Sequence, residues 1–95
     1  MEYMGVPVAT QKVTSSDTAV SLPTNVLKCQ AVLITVENAS IRFCVGGSTP
    51  TTSLGHVVED GDSIRLTNPA QVSSFKYISA VSGSAADLMI TGEFV

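Results

Sequence analysis

The chain has 95 residues, 44% of them hydrophobic and 14% charged, with five Lys and Arg against eight Asp and Glu. Its net charge of −3 and pI near 4.7 argue against a surface built to neutralise phosphates, since nucleic-acid affinity rests on clustered Lys and Arg; Lys12, Lys28, Arg42, Arg65 and Lys76 are widely spaced, and no direct nucleic-acid partner is expected. The longest uninterrupted apolar run, Ala31 to Ile34, falls far short of the roughly 20 residues of a membrane-spanning helix, so no membrane partner is expected either.

A chain of this length holds one compact core and is too short for two. Residues 1–95 are therefore read as a single domain. Val, Ile and Thr make up 28 residues; these β-branched side chains are stiff at χ1 and pack well on a pleated surface. No window of about 12 residues keeps helical apolar spacing free of Gly, Pro or Ser/Thr clusters. An all-β domain is expected.

In chain order, residues 1–8 combine Met1, Tyr3, Met4, Val6 and Val8 with Gly5 and Pro7, an N-terminal arm that forms a first strand or packs on a neighbouring subunit. It has neither the basic start nor the long apolar stretch of a secretory signal. Alternation from Val8 to Thr14 predicts an edge strand, Ser15 to Asp17 a turn, and Ala19 to Leu22 an extended segment before Pro23. Ala31 to Glu37 is apolar in both parities, as in a strand buried on both faces or shared with a subunit contact. Asn38 to Ser40 then predicts a hairpin turn into Ile41 to Gly46, with Phe43 in the core and Arg42 on the opposite face, solvated or ion-paired.

Gly46 to Gly55 is a loop of small and hydroxylated residues. It lacks the Gly-Lys-Ser/Thr of a phosphate-binding loop, and Pro50 fixes it as a turn. His56, Glu59, Asp60 and Asp62 suggest a metal cluster at first, but one His is too few for zinc and the spacing is wrong for calcium. Strand, Asp-Gly turn, strand explains Val57 to Ile64 better, and acids adjacent in a turn do not flank a cleft as glycoside hydrolysis requires. Arg65 points away from the face that Ile64 and Leu66 bury. Asn68-Pro69 ends that strand before a turn or one helical turn at Ala70 to Ser73. Phe75 to Val81 alternates with an aromatic face, and Leu88 to Val95 is the last strand.

Cys29 and Cys44, placed on a hairpin centred near Asn38 and Ala39, are poor cross-strand partners, so both are expected reduced and buried, behaving as small hydrophobes. No nucleophile, base and orienting group can be assembled around one His. No catalytic residue, cofactor or metal ligand is expected. About eight strands with short turns and no crossover helix predict an antiparallel β-sandwich, jelly-roll-like.

Ala31 to Glu37, Ile41-Arg42-Phe43, Gly47, Pro50-Thr51, Gly55-His56, Gly61-Asp62-Ser63, Asn68-Pro69 and Phe75, in that order, resemble a family of small tailed-bacteriophage virion proteins over roughly residues 20 to 95. Cys44 and Gly46-Gly47 depart from that pattern. The resemblance implies a β-sandwich that joins a capsid or tail assembly, located in the virion and assembled in the host cytoplasm. The expected role is a capsid cement or decoration protein on the major capsid protein, as a homotrimer or homodimer. A neck or tail connector, partnered by neck or tail proteins, is the structural alternative; a small glycan- or receptor-binding module is one of another class, though Tyr3 and Tyr77 give little aromatic surface for sugar stacking. Tyr3, Met4, Val6, Arg42, Pro50, Thr51 and His56 are the candidate interface residues.

Overall fold

The computed structural model describes residues 6–7 as backbone and residues 10–94 in full. Among them are nine strand segments and one short helix: β1 (Val6–Pro7), β2 (Gln11–Thr14), β3 (Val20–Ser21), β4 (Ala31–Glu37), β5 (Ile41–Cys44), β6 (His56–Val58), β7 (Ser63–Leu66), α1 (Pro69–Ser74), β8 (Lys76–Ser79) and β9 (Asp87–Phe94). None of its helices is long and apolar enough to cross a membrane.

The protein is all-β, with every pairing antiparallel in two sheets. One sheet runs β1-β9-β4-β7, with β2 also on β9, and the other runs β3-β8-β5-β6. β1 and β2 share one edge of β9 with registers offset by one residue, Pro7 facing Glu93 and Gln11 facing Ile90. Taken as one edge, they leave the strands in a nested order: β2 pairs β9, β3 pairs β8, β4 pairs β7 and β5 pairs β6.

That order corrects one expectation and refines another, since the Asp60-Gly61 turn does join two strands as expected. Asn38 to Ser40 is not a hairpin turn, because β4 pairs only β7 and β9 while β5 pairs only β6 and β8. The Asp60-Gly61 bend likewise carries the chain from β6 in one sheet to β7 in the other. Both bends have the positive φ that short turns use, 76° at Asn38 and 91° at Gly61, but this local conformation serves a corner between sheets as well as a hairpin. The two corners hold each other. Val36 N–H donates to the Asp62 carbonyl (2.9 Å), Gly61 N–H to the Val36 carbonyl (2.8 Å) and Asn38 N–H to Asp60 Oδ1 (3.0 Å). A two-ribbon band is thereby folded across both sheets.

Between the sheets lies one apolar cluster. Val32, Ile34 and Val36 of β4 and Leu88 and Ile90 of β9 meet Ile41, Val58 and Tyr77 of the other sheet, with Val26, Cys29, Val72 and Phe75 filling the end. The arrangement is sandwich-like. Phe43, expected in the core, is only half-buried, yet its ring stacks on Phe75 at 5.1 Å. The second parity of β4 is split: Ala31 is buried while Leu33 is 37% exposed, beside the outward ion pair of Arg65 with Glu93. β8 stops at Ser79, so Val81 lies beyond the predicted strand and is 62% exposed. The turn at Asn68 does become a helix, six residues long. Asn68 Oδ1 accepts from Gln71 N–H at 2.9 Å, the N-cap that Asn favours, and Pro69 needs no N–H in the first turn.

Both cysteines are free and buried. Burial pushes the Cys29 thiol above its ordinary 9.0, with the Glu93 backbone hydrogen bond opposing and the Glu93 charge adding. Burial likewise raises the Tyr77 phenol above 10.0. A folded-state pKa raised in this way keeps the proton on the native protein while the unfolded chain releases it, so stability is full below the unfolded pKa and falls as pH rises toward the folded one. Urea midpoints should therefore decline as pH is raised above about 9, and Cys29→Ala should remove the earlier part of the decline. A midpoint indifferent to pH in that range would contradict the burial of both groups.

Candidate functional site

The residues singled out by the sequence around β5 and β6 form one structural unit. Along β5, alternation sends Phe43 inward and Arg42 and Cys44 to the outer face. The chain leaves β5 through Gly46 and Gly47, with φ of 79° and 99°, and Gly46 N–H donates to Ser74 Oγ (2.9 Å) at the end of α1. Pro50 is fully buried and holds the loop from beneath. Thr51 closes its tip: its N–H donates to the Leu54 carbonyl (2.9 Å), and its Oγ1 accepts from Ser53 N–H (3.2 Å) and Leu54 N–H (3.0 Å).

Gly55 returns the chain to β6 through a close approach. Its φ is 131°, and a Cβ there would lie 2.9 Å from the Phe43 carbonyl oxygen and 3.2 Å from Arg42 Cβ. Only glycine fits such an approach without displacing backbone. Arg42 Nη1 donates to the Gly55 carbonyl (2.8 Å), while its Nε is buried without a partner among the described residues. Arg42 does project to the opposite face, as its parity predicts, but it is part-buried and clasps the returning loop. Across the ladder Phe43 faces His56, their rings 5.4 Å apart, with His56 exposed.

Two hollows flank this clasp. One, of about 310 Å³, is lined by Cys44, Val45, Ser48, Leu54, Gly55 and His56. The other, of about 210 Å³, lies between Val45-Gly46 and the start and end of α1, at Asn68, Ala70, Gln71 and Ser74. His56 lines the first hollow, and Lys76 sits directly across the ladder from its lining residue Cys44. Leu54 and Val57 are 53% and 47% exposed beside it. The sequence reading did not single out these two; their signal is an apolar side chain in an otherwise polar loop and at an outward strand position.

Of the candidate interface residues, Thr51 and His56 are exposed, Arg42 is part-buried on the outer face under the returning loop, and Pro50 is buried. Tyr3 and Met4 lie outside the described residues, and Val6 is described only as backbone in β1. His56 and the acids Glu59, Asp60 and Asp62 stand at opposite ends of β6. Among the described residues no group of three or more His, Cys, Asp or Glu could hold a metal ion. What this site offers chemically is a mixed apolar and polar surface, with Leu54 and Val57 exposed beside His56 and Thr51. Comparison with known protein families, with curated proteins and with solved structures finds no match.

Proposed function

We propose that this protein is a structural component of a tailed-phage virion, a cement or decoration protein that stabilises the head shell by contacts with the major capsid protein. The observation that carries the reading is the meeting of residues that carry the sequence resemblance. Arg42 holds Gly55, Phe43 faces His56, Pro50 underlies the loop and Thr51 closes it. A set of residues spaced along the chain thus braces one loop over the outer face of β5, and its construction needs no catalytic group. The nested strand order supports a jelly-roll reading, an architecture that recurs in viral capsid domains and in lectins, though fold analogy alone does not carry function. A partner that binds only the assembled shell stabilises it by mass action.

The test is addition of the purified protein to undecorated heads, followed by imaging. Added density at regular lattice positions is expected, and its absence would overturn the reading. Copy number relative to the major capsid protein then separates a shell protein from a neck or tail component, which is present as rings of far fewer copies.

A further inference from the structure

The nested order gathers charge by sign. The bends at Asp17, Glu37 to Ser40, Glu59 to Asp62 and Ala80 to Asp87 all lie at one end of the sandwich, tied by hydrogen bonds from Ser79 N–H to the Ser16 carbonyl and from Ala80 N–H to the Ser40 carbonyl. Asp17, Glu37, Glu59, Asp60, Asp62 and Asp87 are there, six of the eight carboxylates in the sequence. No Lys or Arg occurs in those bends; Lys12 alone reaches toward them, 3.9 Å from Asp87. The opposite end carries Lys28, Lys76 and His56, and the Arg42 side chain, from the middle of β5, donates to the Gly55 carbonyl on that side. The one described carboxylate there, Glu93, is already paired with Arg65.

The two ends also differ in relief. At the acidic end Val81 is the most exposed large apolar side chain among the described residues, at 62%. Its loop is pinned by Asp17, which accepts from Ser82 Oγ (3.2 Å) and Gly83 N–H (3.0 Å). At the cationic end the 310 Å³ hollow opens beside exposed Leu54, and half-buried Lys76 faces its lining residue Cys44 across the ladder.

We propose that copies of this protein associate head to tail, the acidic end of one seated on the cationic end of the next. The occupant is a second copy because the two ends complement each other in charge and in apolar contact, whereas acidic end against acidic end brings like charges together. Such a contact is heterologous: it closes as a ring or grows as a filament, and it is not the isologous contact of a two-fold dimer. The proposal does not depend on the virion reading.

Sedimentation velocity of the full chain at about 0.01 M and about 1 M salt tests it, since the screening length falls from about 30 Å to about 3 Å between them. The wild-type chain should assemble at low salt and run as a monomer at high salt. Glu59→Lys/Asp62→Lys reverses charge at two exposed carboxylates that accept no hydrogen bond from another described residue; Lys28→Glu/Lys76→Glu reverses the other end. Each variant alone should stay monomeric at low salt. Their equimolar mixture should associate at low salt, because the unaltered cationic end of the first variant can still seat the unaltered acidic end of the second. Far-UV circular dichroism checks that both are folded, and the wild-type salt response needs neither. Wild-type chain monomeric at low salt, assembly indifferent to salt, a variant that still self-associates, or a mixture that stays monomeric would each overturn the proposal.

Discussion

Phe75→Ala should lower the unfolding free energy by about 3–5 kcal/mol, the range for removing a buried aromatic ring and leaving part of its volume empty. Phe75 is the largest fully buried side chain and stands where α1 hands the chain to β8. Its ring stacks on Phe43 at 5.1 Å and tilts against Tyr77 at 6.1 Å, so its loss also frees the inner side of the clasp. Against a total of about 5–15 kcal/mol for a domain of ordinary stability, the variant should unfold at far lower urea, as followed by far-UV circular dichroism. Val81→Ala is the control: it removes apolar atoms from an exposed site and should stay within about 0.5 kcal/mol. Equal midpoints for Phe75→Ala and Val81→Ala would show that the core is not centred on Phe75.

Gly92→Ala should destabilise by about 1–3 kcal/mol, as overpacking does. The sign is the informative part, because Ala in a strand interior ordinarily improves on Gly by about 0.5–1 kcal/mol. Here the added Cβ would fall 2.6 Å from Cys29 Sγ, 2.9 Å from Val26 Cγ1 and 3.2 Å from Val26 Cβ, atoms of two fully buried residues that have nowhere to move. Cys29→Ala removes the nearest of them and leaves Val26. The double variant should therefore be less destabilised than the sum of the two single ones, with a coupling inside the usual range of about 0.5–3 kcal/mol for touching residues. Strict additivity would mean that the close approach is relieved by backbone movement instead.

Much of the local structure is legible in the residues themselves. The apolar run Ala31–Glu37, the alternation of β2 and the strand end before Asn68-Pro69 are properties of a few neighbouring side chains, and they recur in the structure, where the turn or helical turn expected at Ala70 to Ser73 is a helix over Pro69–Ser74. The candidate surface is legible in part. Thr51 and His56, named from their motifs, are exposed, while Leu54 and Val57 gain meaning only when the loop folds back over the outer face of β5.

The hairpin expected at Asn38 to Ser40 fails, and the sheet membership of the strands around Asp60-Gly61 stays unread, for one cause. Asn38 to Ser40 and Asp60-Gly61 carry turn chemistry that fits a hairpin and a corner equally well, because turn conformation is decided over a few residues and sheet membership is decided by partners tens of residues away. β4 found β9 and β7; β5 found β8 and β6. Gly92 is equally silent in the sequence: nothing around it announces that Val26 and Cys29, more than sixty positions earlier, close over its Cα. The same long-range pairing gathers six scattered carboxylates at one end and leaves Lys28 and Lys76 at the other. By itself, then, the sequence determined that this chain is all-β, where its strands run and which bends join them. Only the tertiary structure decided which strands are neighbours, and through them the position of the clasp and the separation of charge, since both depend on contacts that no local propensity encodes.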